Sequence, residues 1–129
     1  MKKHNRVEDL VLYNCTSGYP VPFPDVCLLD ITTMIEKYGK RVKAIGLSGH
    51  HLGIAVDMAA YTLGANVVER HYTLDRTWKG TDHSASLEPA GMRKLARDLK
   101  AVHQALDYKK TDILPIEQVQ RDKLKYRKS

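Results

Sequence analysis

The sequence is poor in cysteine and in large aromatic residues: its 129 residues include two cysteines, one tryptophan and one phenylalanine. Cys15 and Cys27 are too few for a disulfide framework and lack the spacing of a zinc site, so we expect buried free thiols. No apolar run approaches the roughly 20 residues that a membrane span requires. The basic start at residues 1–6 has no apolar segment behind it, unlike a signal peptide. These absences predict a cytoplasmic protein without a membrane partner.

The rest of the composition is that of an ordinary globular domain. Hydrophobic residues make up 43% of the chain, charged residues make up 28%, and the formal net charge is +6. Much of the positive charge lies in residues 121–128, but no nucleic-acid recognition motif accompanies it. We therefore expect a solvated tail or a docking surface there, and no nucleic-acid partner. The chain divides into a basic lead-in (1–9), a folded region (10–106) and a basic extension (107–129).

Short apolar segments alternate with helical patterns along the folded region. The apolar segments cover residues 10–15, 43–47 and 66–71, and the helical patterns cover residues 25–38, 54–63 and 89–106. Strands separated by single helices form βαβ units, which predicts an α/β fold with a parallel sheet and right-handed crossovers. Three strands are few for a complete parallel sheet, since a closed barrel of parallel strands and helices has eight strands and about 250 residues. We therefore expect the chain to form part of something larger.

Polar residues gather directly after each predicted strand. They are Thr16, Ser17 and Tyr19 after the first, Ser48, His50 and His51 after the second, and His71, Asp75 and Asp82 after the third. The carboxyl ends of parallel strands share one edge of the sheet, where α/β proteins carry their functional sites. His50 and His71 can therefore approach one divalent metal ion and leave coordination positions open for water and substrate. The alternative is that each is a half-buried polar residue, and the spacing does not decide between the two.

The other polar residues of this edge have more ordinary alternatives. His51 is expected to point away from the pair, where it orients its neighbours or faces solvent. Ser48 and Gly53 flank a strand-to-helix turn that could bind an anion, although glycine is common in such turns. Asp75 and Asp82 either accept hydrogen bonds from sugar hydroxyls or cap turns. No lysine lies at the end of a strand, so the sequence offers no nucleophile for a Schiff-base aldolase.

Five stretches of the folded region follow one another in the order of a known family. They are CTSGYPVP at 15–22, GLSGH at 46–50, ERHYTLDR at 69–76, GTDH at 80–83 and SLEP at 86–89. Together they closely resemble the N-acetylneuraminate (sialic acid) synthase family, over residues 10–106. The resemblance implies the last three βα units, strands six to eight, of a TIM-type (β/α)8 barrel. It also implies an enzyme that condenses phosphoenolpyruvate with an N-acetylated aldehyde sugar and releases phosphate.

Carried over by motif, the resemblance assigns six site residues. They are the metal ligands His50 and His71, the phosphoenolpyruvate-side residues Ser17 and Ser48, and the sugar-contacting residues Tyr19 and Asp82. Tyr19 and Asp82 are accordingly the expected catalytic residues, and the implied cofactor is a divalent ion, Mn²⁺ or Mg²⁺. Gly49 stands where many members have Asp, and Ser17 where some have Asn. The acceptor therefore stays open between N-acetylmannosamine and the sugars of the legionaminic and pseudaminic acid branches.

The family also has parts without a counterpart in this sequence. They are its first five strands, which bring an acidic residue and phosphate-binding lysines, and its C-terminal antifreeze-like domain. One hypothesis is a synthase segment that is completed by a complementary N-terminal half-barrel or by homo-oligomerisation. A second is a catalytically inactive barrel fragment that self-associates through its open sheet edge. A third, a basic nucleic-acid-binding module, lacks a motif to support it.

Overall fold

Three parallel strands form the sheet at the centre of the molecule. The computed structural model describes residues 6–125. The strands, in their order across the sheet, are β1 (Val11–Cys15), β2 (Ala44–Gly49) and β3 (Val67–Arg70). In the central strand, Ser48 is paired with Cys15 on one side and with Glu69 on the other. The parallel α/β sheet that the sequence predicts is therefore confirmed.

Helices follow the strands and pack against the sheet and against one another. They are α1 (Asp30–Tyr38), α2 (Ala55–Thr62) and α3 (Pro89–Ala105). The bounds of α2 and α3 agree with the sequence patterns to within one residue, but the prediction that the first helix begins at residue 25 is wrong. Phe23–Val26 forms a separate 3-10 turn. Cys27 then takes a left-handed backbone conformation with φ 49°, which an α-helix does not tolerate, so α1 begins only at Asp30.

The apolar core lies between the sheet and the first two helices. Ile31, Ile45, Leu47 and Ala60 are buried in it. Because side chains alternate along a strand, Leu47 points towards the helices and its neighbour Ser48 points the other way. We call the helix side the covered face. The opposite side, the open face, carries Tyr13, Cys15, Gly46, Ser48 and Glu69.

Both cysteines are free and exposed, so the expectation of buried thiols is wrong. Cys15 ends β1 on the open face, where little covers it. Cys27 occupies the left-handed turn before α1, with its Sγ 3.8 Å from the carbonyl oxygen of Pro24. Apolar neighbours in sequence did not predict burial here, because each cysteine lies where a regular element ends.

The extension beyond the core ends in a helix, α4 (Pro115–Lys125), which the sequence did not predict. Its start is fixed by Glu117, which accepts a hydrogen bond of 2.6 Å from the Leu114 amide and pairs with Lys109 at 2.8 Å. None of its residues is buried. Residues 1–5 of the basic lead-in and 126–129 of the basic extension lie outside the described residues. No helix in residues 6–125 is both long enough and apolar enough to span a lipid bilayer.

Candidate active site

Three aromatic rings meet just beyond the carboxyl ends of the strands. The ring centres of His50 and His71 lie 5.0 Å apart, with the planes at 81°. The Tyr19 ring lies 4.7 Å from that of His50 and 5.6 Å from that of His71. His50 is buried, whereas Tyr19 is 40% exposed. The structure thus brings together the two histidines that end consecutive strands and adds a tyrosine from the loop that follows β1.

Hydrogen bonds to the main chain of that loop fix the position of His50. Its Nδ1 lies 2.9 Å from the carbonyl oxygen of Thr16, and its own carbonyl oxygen accepts a 3.0 Å hydrogen bond from the amide of Val21. A carbonyl oxygen can only accept, so Nδ1 carries a proton, and in the neutral imidazole Nε2 then keeps its lone pair. A metal-ligating histidine typically donates its second ring N–H to a carbonyl in this way.

His71 is held mainly through its backbone. Its carbonyl oxygen accepts a 2.8 Å hydrogen bond from the amide of Leu87, and the amide of Thr73 donates back to the Leu87 carbonyl at 3.0 Å. The side chain is 31% exposed, and its Nδ1 lies 3.7 Å from Oδ2 of Asp82, which is too far for a direct hydrogen bond. The other carboxylate oxygen of Asp82 accepts a 2.8 Å hydrogen bond from Thr81. Asp82 therefore lies at the edge of the ring cluster with Oδ2 towards His71.

The two predicted serines lie in different surroundings. Ser48 is buried on the open face, two residues before His50, and its hydroxyl donates a 2.7 Å hydrogen bond to Oε1 of Glu69. Ser17 is exposed in the loop that follows β1. Glu69 was not predicted as a site residue from the sequence. Strand alternation is the signal that could have found it, since Glu69 lies two residues before His71 and therefore on the same face.

Asp75 does not face the ring cluster as a free carboxylate but caps a turn. Its Oδ1 accepts hydrogen bonds from the Thr77 hydroxyl at 2.7 Å and from the Thr77 amide at 2.8 Å. These two bonds, the side-chain one first, hold the pKa of Asp75 below its ordinary value. In the same loop, Nδ1 of His83 lies 2.8 Å from the Thr73 hydroxyl, and its ring packs edge-on against Trp78. Hydrogen bonds and aromatic packing between residues of the loop itself thus stabilise its conformation.

The donor atoms of the histidine pair suit a divalent ion. The Nε2 lone pair of His50 is available, and His71 approaches closely enough for both imidazoles to reach one ion. Within residues 6–125, no group of three or more His, Cys, Asp or Glu side chains is arranged to hold a metal. The pair would therefore supply only two protein ligands and leave positions open. Open positions of this kind are what water and substrate oxygens occupy in a catalytic site.

A second polar cluster lies on the covered face, behind the histidine pair. It consists of His51, Asp57 and Arg70, whose side chains are 0%, 0% and 1% exposed. The sequence predicted that His51 points away from the pair, and its burial excludes the solvent-facing alternative. Asp57 and Arg70 were missed, because charged residues inside a helix or a strand are normally solvated. Nothing in the sequence pattern alone indicates that α2 buries an aspartate.

Comparison with known proteins identifies the family. A sequence model of the NeuB family matches residues 1–111. The chain belongs to the NeuB family. It is 47% identical over 112 residues to the N-acetylneuraminate-9-phosphate synthase of Homo sapiens, a match that covers 85% of this chain and 30% of that protein. It is 36% identical over 99 residues to the N,N'-diacetyllegionaminic acid synthase of Campylobacter jejuni, covering 77% of this chain and 29% of that protein.

Solved structures of related proteins share the fold. The N-acetylneuraminic acid synthetase of Leptospira borgpetersenii superposes with a TM-score of 0.70 at 34% identity, covering 92% of this chain and 40% of that one. A spore coat polysaccharide biosynthesis protein of Bacillus subtilis superposes with a TM-score of 0.63 at 26% identity, covering 79% of this chain and 29% of that one. This NeuB-family chain spans about 30% of the length of the human relative.

Proposed function

We propose that this chain supplies part of the catalytic rim of a NeuB-family synthase, at which phosphoenolpyruvate condenses with an N-acetylated aldehyde sugar and releases phosphate. The observation that carries the proposal is the convergence of His50 and His71, with ring centres 5.0 Å apart, at the carboxyl ends of adjacent parallel strands. In a complete barrel, β1, β2 and β3 would be strands six, seven and eight. The remaining strands belong to a longer protein or to a second chain.

In the proposed site, His50 and His71 hold a divalent ion, Mn²⁺ or Mg²⁺. When bound, such an ion polarises the aldehyde oxygen of the sugar as a Lewis acid. The main-chain bond from His50 to Thr16 keeps the Nε2 lone pair available before substrate arrives. Tyr19, which packs against both imidazoles, and Asp82, at the edge of the cluster, contact the acceptor sugar. The side chains that would contact the metal and the sugar are thus largely oriented before substrate binds. Such preorganisation is a main source of enzymatic rate acceleration.

Phosphoenolpyruvate lies on the side of Ser17 and Ser48. The Ser48 hydroxyl donates to Glu69, so its oxygen can still accept but its proton is already used. None of the six proposed site residues is a lysine or an arginine, and Asp82 and Glu69 are acidic. An anionic substrate needs cationic partners that these residues do not supply. The charge balance therefore supports a site that other strands of the barrel complete.

The names of the relatives suggest which acceptors to test. The chain is 41% to 47% identical to proteins named N-acetylneuraminate-9-phosphate synthase. The condensation adds carbons at the aldehyde end of the acceptor, so the last carbon of the product is the last carbon of the acceptor. A product phosphorylated at its last carbon therefore requires a hexosamine phosphorylated at its own. N-acetylmannosamine and its terminal phosphate are accordingly the first pair of acceptors to compare.

The proposal is tested by phosphate release from phosphoenolpyruvate in the presence of Mn²⁺ and each acceptor. We expect no release by the 129-residue chain alone and turnover when a polypeptide with the other strands of a NeuB barrel is added. His71→Ala should abolish that turnover, since one imidazole is a poor Mn²⁺ site. His103→Ala, which removes an exposed imidazole bonded to Tyr61, is the matched control and should leave turnover intact.

Three results would contradict the proposal. Turnover by the chain alone would show that the site needs no other strands. Equal Mn²⁺ binding by wild type and His71→Ala, measured by electron paramagnetic resonance, would remove the histidine pair from the site. Complementation without turnover would favour instead the hypothesis of an inactive fragment.

A further inference from the structure

The buried cluster on the covered face is organised around one carboxylate oxygen. Oδ2 of Asp57 lies 3.2 Å from Nε2 of His51 and 2.6 Å from Nη1 of Arg70. The second hydrogen of Nη1 is directed to the carbonyl oxygen of Gly53 at 2.8 Å. The 3.1 Å approach of Nη1 to Nε2 is therefore a contact between two donors that share one acceptor, and His51 donates to Asp57.

The same arginine ties two segments of the main chain together. Its Nη2 donates to the carbonyl oxygen of His51 at 2.6 Å, and its Nη1 donates to that of Gly53 at 2.8 Å. Arg70 directly precedes His71 in the chain, and His51 directly follows His50. The planar, rigid guanidinium of Arg70 thus links the neighbour of His71 to the neighbour of His50, and both of these histidines lie on the open face.

The cluster is a poor source of stability. Three of its buried polar atoms, His51 Nδ1, Asp57 Oδ1 and Arg70 Nε, have no hydrogen-bond partner in the described part of the chain. Buried charges with unmet hydrogen bonds commonly contribute less than apolar residues of the same size. We propose that His51, Asp57 and Arg70 are positioning residues that fix the separation of His50 and His71. The cluster thereby sets the affinity of the pair for a divalent ion, an assignment that rests on the function proposed above.

Gly49 makes the cluster testable without removing any of its groups. A Cβ at this position would lie 2.9 Å from Cε1 of His51 and 3.0 Å from Cδ of Arg70. Both atoms belong to tightly bonded, buried side chains, so the added methyl group has to shift these side chains or the backbone of β2. Gly49→Ala therefore perturbs the packing of the cluster, whereas Asp57→Asn weakens its central acceptor.

The experiment measures Mn²⁺ binding by the full chain and the nuclear Overhauser contact between the His50 and His71 rings without metal. We expect Asp57→Asn and Gly49→Ala each to weaken Mn²⁺ binding about tenfold or more, as changes around metal ligands typically do. The contact between the rings should weaken in parallel. Ile31→Val, a core change away from the cluster, is the control: it should lower the melting temperature but leave both readouts unchanged.

The two readouts separate this inference from the proposed function. If both variants bind Mn²⁺ as tightly as wild type and keep the ring contact, the positioning role is overturned. If wild type binds no Mn²⁺, the proposed function fails, but the ring contact still decides: its loss in the variants supports positioning and its persistence overturns it. Should Asp57→Asn fail to fold, Gly49→Ala alone decides, because it keeps every hydrogen-bonding group.

Discussion

Leu47→Ala should destabilise the fold more than almost any other single truncation. Leu47 lies in the central strand with its side chain 1% exposed, in contact with the core on the covered face. Loss of a buried leucine side chain removes about 1.5–3 kcal/mol of transfer free energy, and the cavity left behind raises the cost to about 3–5 kcal/mol. Single domains are stable by only about 5–15 kcal/mol. The variant should therefore lose a large share of the free energy of unfolding, with a fall in melting temperature of more than about 10 °C.

Urea unfolding followed by far-UV circular dichroism measures this loss. The midpoint should fall while the slope with urea stays unchanged, since the folded core keeps its extent. Leu124→Ala is the matched control: Leu124 is 63% exposed on α4, so its truncation should change the free energy of unfolding by no more than about 0.5 kcal/mol. A loss below about 1 kcal/mol for Leu47→Ala would refute the described core. A large loss for Leu124→Ala would show that α4 is packed in solution.

Two further predictions concern the turn at Asp75 and the thiols. The bonds from Thr77 hold the pKa of Asp75 below its ordinary value of 3.8, so this anchor is present above that value and is lost as the pH falls through the lower, folded-state pKa. The Thr77 amide resonance should therefore shift only in strong acid, and Asp75→Asn should abolish that titration. Cys15 and Cys27 should both react with a thiol reagent in the native chain, because both are exposed. A native chain with unreactive thiols would contradict that exposure.

The class of fold was predictable because short apolar segments and helical patterns alternate, and α3 was placed almost to the residue. The start of α1 was not predictable in the same way. The apolar spacing that continues back to Cys27 is typical of a helix, yet the backbone turns left-handed there with φ 49°. A positive φ at a residue other than glycine leaves no mark in an apolar pattern, since the pattern reflects burial and not backbone conformation.

Those features of the candidate site that follow from the position of a residue at the end of a strand were predictable. Those that follow from the strand register or from the packing of a helix were not. The approach of His50 to His71 follows from their place after consecutive parallel strands. The bond from Ser48 to Glu69 needs the register of β2 and β3. The burial of Asp57 follows only from the packing of α2 against the sheet, since an aspartate in the first turn of a helix is ordinarily solvated.

The register of β2 and β3 determines the core and the site together. In each of the two neighbouring pairs, His50 with His51 and Arg70 with His71, one side chain serves the open face and the other the covered face. A shift of β3 by one residue would bring Arg70 to the open face and bury His71 against the helix layer. The cluster around Asp57 and the histidine pair would then be lost in one step. Removal of the His50 or the His71 imidazole, by contrast, should leave the sheet and the cluster around Asp57 in place, so loss of metal binding without loss of stability would exclude a register defect.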